Sequence, residues 1–176
     1  MAAKGPRGCY PPEVGEDGWT EDDEGLQRWV RGQTGFPFVD ASMRQLTRTG
    51  EMSNRCRQNV ASFLTRTLGQ DWRVGVEVFR ALLLDHDAAI NAENWAYVAG
   101  VGHDPRSQSR MFKTVTQGEK YDADGSFITH FIPQLAGLPM EIVHRPWTNA
   151  EGGVGYALEN PPMVDPSSQI GRKKGG

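Results

Sequence analysis

The sequence predicts an all-α fold. Three observations carry that expectation. Successive segments between Asp40 and Ala99 repeat apolar residues at three- and four-residue steps; most of them open on a capping residue and close on glycine; and nowhere does apolar-polar alternation mark a strand. No internal repeat is present, so the helices are expected to pack around one core, for which 176 residues at 38% hydrophobic content suffice.

Residues 1–18, rich in Gly, Pro and acids, lack a repeating apolar pattern and are expected to form a disordered leader, with order beginning near Trp19. Asp40 can cap a first helix carrying Met43 and Leu46, which Thr49-Gly50 ends with glycine at the left-handed position. A second helix is expected from near Ser53 to Leu68, where Val60, Phe63, Leu64 and Leu68 recur and Gly69 follows. Near its start Asn54, Arg57 and Gln58 share a side with Ala61 and Leu64, so that side is partly polar. Asp71 can cap a third helix, in which Trp72, Val76 and Phe79 alternate with Val74, Val78 and Leu82; both of its faces are expected to be buried. A fourth covers Ala88 to Ala99 and stacks Asp87, Asn91 and Trp95 at four-residue intervals, placing a carboxylate, an amide and an indole on one stripe. Beyond Gly100, glycine and proline punctuate short apolar pieces, which predicts short helices joined by loops, and residues 166–176 are expected to be a frayed tail. The ordered domain therefore runs over 19–165.

Composition narrows the chemistry. No run of eighteen apolar residues and no secretory core at the start point to a soluble, intracellular protein, its compartment open between nucleus, cytoplasm, plastid and mitochondrion. Cys9 and Cys56 offer neither a disulfide framework nor zinc spacing. Residues 13–24 hold seven acids and no base, whereas Arg28 to Arg80 holds nine arginines against Asp40, Glu51, Asp71 and Glu77, a balance of +5. That stretch suits a phosphate backbone, although an arginine-rich solvated surface with intrahelical ion pairs explains the charge equally simply.

In Leu83-Leu84-Asp85-His86-Asp87, two carboxylates follow an apolar run. Burying either without a partner costs several kcal/mol, so each must be exposed, paired, or bonded to a polar ligand, and Arg57 is a candidate cation. One of the two capping the next helix while the other is solvated is the plain alternative. The Asn91 and Trp95 stripe favours the edge of a planar heterocycle, or else a satisfied core network. Five tryptophans (Trp19, Trp29, Trp72, Trp95, Trp147) are core residues in the ordinary view and an oxidisable series in the other. The pairs His86-Asp87 and His103-Asp104 raise a metal-dependent phosphohydrolase as a distant rival.

With those residues in hand, a family resemblance is close. The stretches Trp29-Val-Arg-Gly-Gln-Thr-Gly-Phe-Pro-Phe-Val-Asp40, Ser53-Asn54-Arg-Cys-Arg57-Gln-Asn-Val-Ala-Ser-Phe-Leu64, Asp71-Trp72-Arg73, Asp85-His-Asp87 and Asn91-Ala-Glu-Asn-Trp95-Ala-Tyr97 follow in the order and spacing of the photolyase/cryptochrome flavin domain. The match covers about Trp19 to Val164. Gln58, Tyr97 and Val98-Ala-Gly-Val-Gly-His-Asp-Pro-Arg106 resemble the DASH cryptochromes within it. The chain thus resembles the C-terminal part of the helical photolyase/cryptochrome FAD-binding domain. The resemblance implies FAD as cofactor, blue-light absorption, and light-driven repair of cyclobutane pyrimidine dimers, mainly in single-stranded DNA. It implies that Asp85, Asp87 and Asn91 face the flavin, that Arg57 pairs with Asp85, and that His86 contributes backbone. It places Asn54, Arg55, Gln58, Tyr97 and Gln117 toward DNA, and Trp95, Trp72 and Trp19 as an electron relay. No metal is implied.

The family's N-terminal antenna domain, which would hold a second cofactor such as a folate, has no counterpart here, and neither has the first part of the flavin domain. The expectation is a truncated fragment with weak FAD affinity and marginal stability, for which an N-terminal fragment of the same family is a fitting partner. A non-catalytic flavin-domain remnant, acting as photoreceptor or partner-binding module, is the alternative.

Overall fold

The structure, a computed structural model, describes residues 18–101, 111–149 and 155–171. It is helical throughout, and among the described residues no strand forms; one parallel bridge pairs Thr20 with Gln70. Nine α-helices occur in them: α1 (Asp23–Val30), α2 (Pro37–Thr49), α3 (Asn54–Ser62), α4 (Trp72–Leu82), α5 (Ala88–Ala99), α6 (Thr114–Tyr121), α7 (Ser126–Phe131), α8 (Met140–His144) and α9 (Gly155–Glu159).

Helix α1 was not foreseen, although its signal lay in the acidic stretch. Asp22 caps it, accepting from the Gly25 amide at 2.9 Å, and Asp23 and Glu24 complement the positive end of the helix dipole. Helix α2 is the centre of the fold, packing against α1, α3, α6, α7 and α8. It starts at Pro37, three residues before the expected cap, because proline at the first turn needs no amide donor. Asp40 is therefore not a cap. It is wholly buried and accepts from the Thr34 amide (2.8 Å), the Thr34 hydroxyl (2.6 Å), the Gly35 amide (3.1 Å) and, through a short bond, the Tyr156 hydroxyl. Gly50 closes α2 at φ +69°, as the sequence predicts.

Ser53 caps α3, but the helix does not run uniformly to Leu68: Phe63–Thr67 widens into a π-turn. Such widening shifts the residues that follow around the helix axis, and it carries Arg66 beneath the C-terminal end of α5. There Arg66 Nε donates to the Val98 carbonyl at 2.9 Å, and its guanidinium packs on Gly100, which ends α5 at φ +74°. Asp71 caps α4 as predicted, but its two faces are not both buried. Gly75 and Phe79 are, whereas Trp72, Val76, Val78 and Leu82 are only partly buried, packed against the core. The alternation of valines had suggested a helix enclosed all round.

The end of the chain also departs from expectation. A 3₁₀ turn at Pro166–Gln169 buries Gln169, Lys113 Nζ donates to the Ser168 carbonyl at 2.5 Å, and the Gly171 amide donates to Thr116 at 2.7 Å. Residues 166–171 are thus a built strap rather than a frayed tail. Of the expected leader over 1–18, all but Gly18, and with it Cys9, lies outside the described residues, as do 172–176. Among the described residues no helix is long and apolar enough to cross a membrane.

Candidate functional site

A cavity of about 200 Å³ opens between α3, α4, α5 and the turn that joins α4 to α5. Helix α3 supplies Asn54, Arg57, Gln58 and Ala61, the partly polar side read from the sequence. Phe79 and Leu83 floor the space, and α5 lines it with Asn91, Trp95 and Tyr97. The turn, Asp85 to Asp87, forms its rim and is held from outside: the Leu84 amide donates to the Gly50 carbonyl at 2.9 Å, and a β-carbon on Gly50 would stand 2.6 Å from Leu84 Cγ. Glycine at position 50 therefore ends α2 and also seats the rim.

Each polar group has a distinct assignment. Both Asp85 oxygens accept from Arg57 Nη2 at 2.7 Å, and Arg57 Nε donates to the Met52 carbonyl at 2.9 Å. The Asp85 side chain is 65% exposed, so this pair adds little to stability; its effect is to orient two charges at the cavity mouth. Asp87 caps α5, accepting from the Ile90 amide at 2.9 Å. The cap and the ion pair thus account for the two carboxylates without a ligand, and both still border the cavity. Asn91 Nδ2 donates to the Val76 carbonyl at 3.1 Å, which fixes the amide's orientation and leaves its oxygen as an acceptor. His86 Nδ1 is buried without a hydrogen-bond partner, an orphaned polar atom at a cavity wall.

Trp95 is the most constrained wall residue. A β-carbon on Gly75 would lie closer than 3.0 Å to three of its ring carbons, so α4 and α5 meet face to face through that glycine. Phe79 meets the indole edge-on at 5.0 Å between centroids, and Trp29 does so at 6.2 Å.

Of the residues singled out in the sequence, Asn54, Arg57, Gln58, Asp85, His86, Asp87, Asn91, Trp95 and Tyr97 line this one cavity. Four stand outside it. Arg55 turns toward α6, stacking over Tyr121 at 4.6 Å and bonding Gln58 at 3.1 Å; Gln117 sits on α6 with its Oε1 buried and unpartnered. Trp72 opens α4, and Trp19 lies next to Thr20, whose amide donates to the Gly69 carbonyl at 2.8 Å. Phe79 from α4, and Ile90 and Asn94 from α5, also line the cavity and were missed; for the last two the signal was their three-residue steps from Asp87 and Asn91 on one helix. His103 and Asp104 lie outside the described residues, and among the described residues no three His, Cys, Asp or Glu stand close enough to hold a metal ion.

The comparisons with known proteins agree with this arrangement. Residues 7–170 match the family model described as the FAD binding domain of DNA photolyase. The chain belongs to the photolyase family of FAD-binding domains. Over 153 residues it is 51% identical to a cryptochrome DASH of Natronomonas pharaonis and 54% identical to one of Gloeobacter violaceus, in each case across 84% of this chain. It spans 32% and 30% of those relatives' own lengths. The crystal structure of the Synechocystis sp. PCC6803 cryptochrome superposes with a TM-score of 0.79 at 43% identity, over 86% of this chain and 32% of that one. The helical architecture is thus that of this family, and the chain covers about a third of its longer members.

The cavity residues fit one side of a flavin: a fixed amide acceptor, an unpartnered imidazole nitrogen, a cation-carboxylate pair and an aromatic wall. The cavity, at about 200 Å³, is below the roughly 300–1,000 Å³ usual for an enclosed small-molecule site.

Proposed function

We propose that this chain is the flavin-holding part of a blue-light-dependent flavoprotein of the DASH cryptochrome type, which binds damaged, mainly single-stranded DNA and repairs cyclobutane pyrimidine dimers by light-driven electron transfer. The observation that carries the proposal is the convergence on one cavity of nine residues singled out by helical spacing, charge and resemblance. FAD supplies the light-driven one-electron chemistry when bound. Arg57, Asp85, Asp87 and Asn91 hold and orient it, with His86 contributing at the rim. Asn91 offers an amide rather than an acid, which carries no charge to oppose a change of redox state.

Trp95 is the wall indole and the first donor in this reading. Gly75, against which it packs, lies one turn from Trp72 on α4, and the Thr20–Gln70 bridge sets the Trp19 segment beside the start of that helix. That succession supports a relay from Trp95 through Trp72 to Trp19. Asn54, Gln58 and Tyr97 border the mouth where a splayed base would enter, with Arg55 and Gln117 beyond it toward α6. An N-terminal fragment of the same family is the partner that would complete the enclosure, and the narrow cavity favours a second reading in which the chain alone is a non-catalytic flavin module.

Equilibrium dialysis of the purified chain against FAD tests the proposal. Saturable uptake that weakens in Asn91→Ala and in Arg57→Ala is expected; absence of saturable uptake would overturn it.

A further inference from the structure

Trp29 lies outside the cavity and outside the proposed relay, yet it touches the residue on which both depend. It is wholly buried, its ring meets Trp95 at 6.2 Å and 74°, and its Nε1 donates to the Val60 carbonyl at 3.0 Å. Val60 belongs to α3, whose outer turns carry Asn54, Arg57 and Gln58; Trp95 belongs to α5, the facing wall; and Trp29 itself stands on α1. We infer that Trp29 is a positioning residue, a strut that fixes Trp95 relative to α3 and so sets the placement of the indole that the cavity presents to its flavin. The inference rests on the function proposed above.

The physical case has two parts. Turning the Trp29 ring would leave its buried N–H without a partner, so the hydrogen bond to the Val60 carbonyl, which also accepts from the Phe63 amide, locks the strut's orientation. Trp95 in turn cannot move toward α4, where Gly75 already touches it, and Phe79 blocks a further direction at 5.0 Å; withdrawal toward Trp29 is the freedom that the strut removes. Trp29 is poorly suited to replace Trp95 as the electron donor. Its N–H faces a carbonyl, which accepts a hydrogen bond but takes up no proton, so an oxidised Trp29 has no route to a neutral radical.

The test uses the full chain labelled with 5-fluorotryptophan, each fluorine resonance being assigned by a single Trp→Phe replacement. In Trp29→Leu the Trp95 resonance is expected to shift and broaden while those of Trp72 and Trp147 stay in place; Trp29→Phe, which keeps an aromatic edge but loses the bond to Val60, should give a smaller change and guards against loss of folding. In FAD-loaded samples of equal occupancy, the yield of flavin photoreduction should fall by about tenfold in Trp29→Leu, as expected when a reacting group is displaced by a fraction of an ångström or more. An unmoved Trp95 resonance overturns the inference, and so does a rise in photoreduction, which would mean that Trp29 drains the oxidised Trp95. If Trp95→Phe itself leaves photoreduction intact, the relay fails, while the fluorine spectra still decide whether Trp29 positions Trp95.

Discussion

Replacing Gly75 by alanine should destabilise this protein, against the usual sense of that change. In a helix interior, glycine to alanine stabilises by about 1 kcal/mol, because alanine loses less backbone freedom on folding. Here the added β-carbon would meet three carbons of the Trp95 ring closer than 3.0 Å; even Cζ2 would lie at 2.7 Å, whereas ordinary contact begins at 3.4 Å. Trp95 is backed by Phe79 and Trp29, so the ring can yield only toward the cavity it lines, or else α4 has to separate from α5. Overpacking of this kind costs about 1–3 kcal/mol, which outweighs the gain in propensity and leaves a net loss of about 0–2 kcal/mol. The same displacement should narrow the cavity and weaken FAD uptake. Urea unfolding at unchanged m-value, with FAD dialysis on the same samples, measures both effects. A Gly75→Ala chain that is more stable by about 1 kcal/mol and takes up FAD as before would refute the packing argument.

Asp87→Ala removes the cap of α5 and should cost about 1 kcal/mol in urea unfolding, together with lower helicity by circular dichroism. Asp40→Ala should be far worse, about 3 kcal/mol or more, since it strands the Thr34, Gly35 and Tyr156 donors in the core; expression as aggregate, or a collapsed urea midpoint, is the readout. Burial holds His144 below its ordinary value of 6.5, with Asp122 and Glu119 pulling the other way. Its neutral form is thus favoured in the fold, so it contributes stability above pH 6.5 that is lost as pH falls through the lowered value. His144→Gln should flatten that part of the pH–stability curve.

The sequence made the site more legible than the fold around it. The Asp87, Asn91 and Trp95 stripe, and the partly polar side of α3, follow from helical spacing alone, and the structure brings both to one cavity. Arg57 was readable as a candidate cation for the two carboxylates, and the resemblance assigned it to Asp85; the pair forms although Asp85 is 65% exposed and does not need it. Other features depended on contacts between distant segments. Asp40 resembles a cap locally, but its partners include Tyr156, 116 residues away. The π-turn at Phe63–Thr67 leaves no periodic trace in five residues, and the strap at 166–171 is ordered by Lys113, Thr114 and Thr116 rather than by an apolar pattern of its own. Helix α1 was not read from the acidic run over 13–24, although the last acids of that run, Asp22 to Glu24, are its cap and first turn.

Transient absorption of the FAD-loaded chain after a blue flash tests the central claim most directly. Flavin reduction should accompany appearance of a tryptophan radical in the native chain and vanish in Trp95→Phe at equal FAD occupancy. Reduction that proceeds at the native rate without the Trp95 indole would contradict the account.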